Sequence, residues 1–191
     1  MGLNVVQSKM RSHLVACGAF VLVVASTAPA GGGTGRAAKI RAFRPVADTY
    51  VSAMQPRKNF GQTAALRADG APEQTVYLKF RIQRVKGDLA DVTLLLHAQA
   101  GARTNYQVRR VRENEWRERR LTYENAPRLS LRYASSKPVR RGAWNAVDVT
   151  PFIANEDDEV SLAITTRSMR GVVFSSRETR RGPSLVFRTE E

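Results

Sequence analysis

From Thr75 to Ile82 the chain alternates without a break: Val76, Leu78, Phe80 and Ile82 fall on one side, Tyr77, Lys79 and Arg81 on the other. Period two over eight positions is the signature of a strand with one face against a core. Val92–His97 is more continuously apolar and predicts a more buried strand. Ala47–Ser52, Tyr106–Val111, Trp144–Val149, Val160–Thr165, Val172–Ser176 and Leu185–Arg188 complete the series, with Ala47–Ser52 opening it. Turn residues separate them: Asp69-Gly70-Ala71-Pro72, Lys86-Gly87-Asp88, a turn around Gly101, Arg141-Gly142, Gly171 and Gly182-Pro183. No stretch keeps a 3.6-residue apolar period; the best helical segment is a turn or two at Thr150–Ala154, with Pro151 suited to a first helical position. Eight or more short strands at this spacing predict an all-β fold, an antiparallel jelly-roll β-sandwich forming a single domain with one or two short helical turns.

The first thirty residues follow a different pattern. Lys9, Arg11 and His13 precede an apolar run from Leu14 to Val24, and the small residues of Ala25–Ala30 lead into Gly31-Gly32-Gly33. That is the layout of a cleavable signal peptide cut after Ala30; a cut after Ala28 would leave Pro29 at the disfavoured next position. The apolar run reaches about half of the ~20 residues a membrane-spanning helix needs, which argues against an uncleaved anchor. Leu14-Val15-Ala16-Cys17 resembles a lipoprotein box, but Cys17 lies inside the apolar run and not at its end. The expected organisation is therefore a signal peptide at 1–30, a flexible tether and first strand region at 31–45, and the sandwich at 46–191. The mature chain is expected to be secreted, without integral membrane association. Cys17, the one cysteine, leaves with the signal, so no disulfide or thiol chemistry is expected after cleavage. The 161 residues from Gly31 onward suffice for a sizeable core.

Charge narrows the range of partners. Taking Lys9 and Arg11 from the 31 basic residues leaves 29 against 17 acidic, a net +12 for the mature chain. Twenty-four of those 29 are arginines, whose planar fork pairs bidentately with carboxylates and phosphates. Such a charge attracts polyanions in a salt-dependent way. For a secreted chain the polyanions on offer are acidic polysaccharides, teichoic-type cell-wall polymers, lipid head groups and extracellular DNA; polysaccharide or cell-wall polymer is the expected partner and nucleic acid is not. The plain alternative is charge that serves solubility.

Catalytic chemistry finds few players. His97 is the single histidine of the mature chain and lies in an apolar strand, where a structural role is the ordinary one. Nothing resembles a nucleophile elbow, a phosphate-binding loop or a zinc pattern. Tyr50, Tyr77, Tyr106, Tyr123 and Tyr133 could serve a lyase, but no motif groups them, and no enzyme activity is expected. Binding finds more. Tyr77, Lys79 and Arg81 share the non-core side of one strand, and Arg109 is placed on the corresponding face of another. Arginines beside aromatic rings suit sugar carboxylates; an ordinary solvated strand face is the competing reading. Arg57 and Lys58 form a basic loop open to the same two readings.

Several local patterns then fall in order. Ala47-Asp48-Thr49-Tyr50-Val51-Ser52, Pro56, Asn59-Phe60-Gly61, Leu66-Arg67 and Tyr77-Leu78-Lys79-Phe80 open the set. Trp116-Arg117-Glu118, Leu121-Thr122-Tyr123-Glu124-Asn125-Ala126-Pro127, Trp144 with Val147-Asp148-Val149-Thr150, Phe174-Ser175-Ser176-Arg177-Glu178 and Pro183-Ser184-Leu185-Val186 continue it. Over about residues 46–188 the chain resembles a DNRLRE-type domain, the group classed as carbohydrate-binding module family 96. Phe60 and Tyr123 depart from the usual tyrosine and tryptophan while keeping a ring. The resemblance implies a β-sandwich of secreted and cell-surface bacterial proteins, with acidic polysaccharide such as alginate a ligand of some members. It marks Asp48, Asn59, Gly61, Trp116, Asp148, Arg177 and Glu178 as signature positions. Arg177 and Glu178 read either as ligand contacts or as an ion pair pinning a strand end, the latter favoured. Asp48 and Asp148 share that ambiguity, with structural calcium as a third reading. The run Asn155-Glu156-Asp157-Asp158-Glu159 could offer oxygens to calcium but lacks an EF-hand spacing, which favours a solvated turn. No other cofactor is expected. The expectation is a monomeric, non-catalytic module for acidic, uronic-acid-type polysaccharide. The alternatives are an adhesive sandwich without a glycan site and, further off, a polysaccharide lyase or hydrolase.

Overall fold

The computed structural model describes residues 38–83, 85, 87–100, 103–154 and 158–190. The expected signal peptide, the tether as far as residue 37, and three residues of the acidic run (155–157) lie outside the described residues. The strands are β1 Ala38–Phe43, β2 Pro45–Ser52, β3 Ala65–Gly70, β4 Glu73–Arg81, β5 Asp88–Ala100, β6 Gln107–Arg110, β7 Ala134–Ser135, β8 Trp144–Asp148, β9 Glu159–Thr165, β10 Val172–Ser175 and β11 Ser184–Glu190. A 3-10 turn at Thr150–Phe152 separates β8 from β9, with proline at its start. The Asp148 carboxylate accepts from the Thr150 backbone N–H at 2.9 Å and from its hydroxyl at 2.6 Å, which fixes that turn.

Every strand pairing is antiparallel. One layer is ordered β8–β5–β11–β1, with β5 at its centre. The other contains β2, β4, β9, β6 and β7. β10 pairs with both β5 and β3, and β3 turns into β4, so the hydrogen-bonded sheet curls from one layer into the other. The chain changes layers at most connections after β4, as in a jelly roll. The strand alternation accounts for the interior. Val76, Leu78 and Phe80 of β4 meet Val92, Leu94 and Leu96 of β5 in one core with Leu162, Ile164, Leu185 and Phe187, all buried.

β1 falls in the first strand region expected at 31–45 and pairs with β11 along its whole length. Two features depart from the sequence expectations. β3 was not predicted as a strand, because small Ala65 and Ala68 replace the large apolar residues that advertise one. The second departure bears on function. Segment 111–133 carries one isolated bridge, Val111 to Leu129, and lies over the outward face of the β4 layer. It creates a second apolar cluster there, in which Trp116 and Leu121 pack with Ala47, Val51, Tyr77, Val111 and Ala163.

Candidate functional site

Tyr77, Ala163 and Arg109 stand in one cross-strand row, as their registers require, so the expected shared face of β4 and β6 is real. Its expected openness is not. Tyr77 is 3% exposed, with its hydroxyl 3.4 Å from the Pro127 carbonyl oxygen. Burial pushes that hydroxyl's pKa well above the usual tyrosine value, and the Glu73 charge adds to the shift. The Lys79 ammonium donates to the carbonyls of Asn114 and Trp116, and stands 4.8 Å from the centre of the Trp116 ring and 3.5 Å from Glu159. Its charge is spent on holding the cover. Arg109 likewise donates to the Ser130 and Leu131 carbonyls at 3.0 Å and to Gln107 at 2.8 Å, with its guanidinium 5.0 Å from the Tyr133 ring. Tyr77 and Lys79 therefore leave the list of solvated binding positions, because segment 111–133 occupies the face they were expected to present.

Most of the signature residues meet at one end of that cover. Asp48 Oδ2 accepts from the Arg177 backbone N–H at 2.6 Å, and Oδ1 from the Ser176 hydroxyl at 2.9 Å. The Arg177 guanidinium reaches both oxygens of Glu118, at 2.9 and 3.2 Å, and Glu118 Oε1 also accepts from the Asp48 backbone N–H at 2.8 Å. Asn59 donates to the Glu118 and Leu121 carbonyls at 2.7 Å, while its own carbonyl accepts from the Gly61 N–H at 3.2 Å. A side chain at Gly61 would put its first carbon 2.5 Å from the Glu118 carbonyl oxygen, so only glycine lets the two backbones approach. Trp116 donates its indole N–H to Ser161 at 2.9 Å. Burial pushes the Asp48 pKa from the ordinary 3.8 up to about 6, against the lowering effect of its hydrogen bonds.

The remaining candidates are dispersed. Arg57 is mostly exposed and pairs with Glu124 at 3.1 Å; the exposed Lys58 lies 5.2 Å over the Phe60 ring. Glu178 lies 3.5 Å from the Arg177 guanidinium, and Asp148 serves the 3-10 turn. Arg81 ends β4, largely exposed, with its guanidinium 3.8 Å from Glu159. Among the described residues no group of three or more His, Cys, Asp or Glu side chains could hold a metal ion.

The outward face of the β8–β5–β11–β1 layer is built differently. Its cross-strand rows contain Trp144 and His97, then Ala146, Leu95 and Ser184, then Asp148, Thr93, Val186 and Ala42, and last Asp91, Arg188 and Ile40. Short side chains fill the middle rows, and Arg188 pairs with Asp91. Trp144 is 52% exposed at one corner. It follows the turn Arg140–Ala143, where Gly142 adopts a positive φ of 75° that other residues resist. Its ring meets His97 edge-on at 5.3 Å and 70°. Arg181 Nη1 lies 3.1 Å from His97 Nε2, and Nδ1 lies 3.2 Å from the Ser175 hydroxyl. Arginine only donates, so Nε2 accepts and the ring proton sits on Nδ1, directed at Ser175. The buried His97 thus supports an exposed indole and an exposed guanidinium together. A ring of this kind can stack on the apolar side of a sugar while the arginine fork meets a carboxylate.

Neither Trp144 nor Arg181 was among the binding positions expected from sequence. The phase of β8 held the clue: Trp144, Ala146 and Asp148 share one side, and Val147 takes the other. Nothing comparable in the sequence marks Arg181, whose neighbour is 84 positions away.

No curated protein matches the chain. A solved structure described as "Structural basis for the promiscuous specificity of the carbohydrate-binding modules from the beta-sandwich super family" matches at 14% identity and a TM-score of 0.27, over 83% of this chain and 57% of that one. The chain thus spans a little over half the length of that structure. No described helix is long and apolar enough to cross a membrane. The model of carbohydrate-binding module family 96 matches residues 39–189, nearly all of the described fold, and the chain belongs to that family.

Proposed function

We propose that this chain is a secreted, non-catalytic module that binds acidic, uronic-acid-type polysaccharide across the open face of the β8–β5–β11–β1 layer. The observation that carries the reading is the pairing of Trp144 and Arg181 on His97, an exposed ring and an exposed cation positioned by one buried side chain. Membership of a carbohydrate-binding family supplies the ligand class, and the arginine-rich balance of charge favours an anionic member of that class. The three-part N-terminus supports secretion. Rows dominated by Ala42, Thr93, Ala146, Ser184 and Val186 lie beside Trp144 on the same face.

Isothermal titration of the protein against polygalacturonate and unmodified dextran tests it. Binding to the polyuronate alone is expected, weakened about tenfold or more by Trp144→Ala and by Arg181→Ala. Absence of polyuronate binding at low salt, or binding indifferent to Trp144, would overturn the reading. Self-association without glycan binding would point instead to an adhesive sandwich.

A further inference from the structure

A second concentration of positive charge lies where the chain crosses between the layers. Arg41, Arg44 and Arg81 line a groove of about 490 Å³ together with Phe43, Val46 and Gln83. That volume is in the range of ligand sites. Arg81 is 71% exposed, and its guanidinium approaches Glu159 only to 3.8 Å, while Lys79 takes the same carboxylate at 3.5 Å. The Arg81 fork therefore has no close two-point partner in Glu159. Three arginines bordering one groove give it a positive potential that favours an anion. Phe43 is partly buried and Val46 40% exposed, so the groove also offers apolar surface beside its charges.

The groove is linked to the open face through one turn. Arg44 Nη2 donates to the Arg180 carbonyl at 2.9 Å, and the next residue, Arg181, reaches His97 behind Trp144. The guanidinium that lines the groove thus also anchors the turn that presents Arg181.

We infer that the Arg41–Arg44–Arg81 groove is a second oxyanion subsite, taking a carboxylate or sulfate of the same glycan chain that crosses Trp144 and Arg181. This rests on the open-face reading and deepens it. Two cationic points linked through the Arg44–Arg180 contact select a polymer charged on repeated units over a neutral or singly charged one. Simultaneous engagement raises affinity without enlarging either contact.

Titrations of the full chain with polygalacturonate, dextran sulfate and unmodified dextran, each at two salt concentrations, test the subsite. Arg81→Gln and the double variant Arg41→Gln with Arg81→Gln leave the Arg44 anchor in place. The double variant is expected to weaken binding about tenfold or more and to flatten its salt dependence. Loss toward the carboxylated polymer, the sulfated polymer or both supports the subsite and names the anion it takes. Equal affinity of wild type and double variant for both anionic polymers overturns it. The open-face reading fails separately: binding that depends on the arginines but not on Trp144→Ala overturns that reading and leaves the groove. Wild-type protein that binds neither anionic polymer overturns both.

Discussion

On the outward face of β4, Tyr77 and Lys79 lie beneath segment 111–133; on the outward face of β8, Trp144 stands half in water. Both faces carry an aromatic residue in the polar phase of a strand. On the first, aromatic and cation turn inward on a second apolar cluster, and the cation's donors are consumed by backbone carbonyls. On the second, short side chains surround the ring and one buried histidine props it. The difference separates two uses of the same residue types: Lys79 with Trp116 fastens a cover, whereas Arg181 with Trp144 remains available to a ligand.

The largest expected effect removes the cover's main anchor. Trp116→Ala loses the ring packed against Tyr77 and Lys79 and the bond to Ser161, and should cost about 3–5 kcal/mol in denaturant unfolding. Glycan affinity of the fraction that remains folded should not change; a large loss would merge the two faces into one functional unit. A smaller effect concerns Asp48, at the end of that cover. Its folded-state pKa, about 6, exceeds the ordinary 3.8, so the folded protein binds the proton more tightly than the unfolded chain. The resulting stabilisation is complete below about pH 4 and lost as pH rises through about 6. Relative to Asp48→Asn, the wild type should therefore lose on the order of 2–3 kcal/mol of stability between those limits. A constant difference between the two proteins across pH 4–7 would contradict this. The smallest stability effect is expected on the open face. Trp144→Ala should cost under about 1 kcal/mol in the same unfolding measurement, because half the ring is already in water. A cost equal to that of Trp116→Ala would erase the distinction between the faces.

Period-two alternation located the principal strands and the core row of β4, because a half-buried strand must separate its side chains by phase. The ordered motifs around Asp48, Asn59, Glu118 and Arg177 were legible as motifs. Their convergence was not, since it joins residues as far as 129 positions apart. Alternation also says which residues leave the core without saying whether another segment covers them. Tyr77 and Lys79 illustrate this: their phase was read correctly, and the irregular 111–133 segment, which has no period to detect, decided their exposure. Arg181 was invisible for a related reason, as its place depends on a turn laid beside His97 by the return of β11 to the centre of the layer.

The two tryptophans offer the most direct test of where ligand sits, because Trp116 is 8% exposed and Trp144 52%. Acrylamide quenching of tryptophan fluorescence reports chiefly on Trp144, and saturating polygalacturonate should shield it. Quenching is expected to fall in wild-type protein on saturation, with no ligand-dependent change in Trp144→Phe. Unchanged quenching of the saturated wild type, or protection that survives Trp144→Phe, would place the glycan away from the open face and contradict the account.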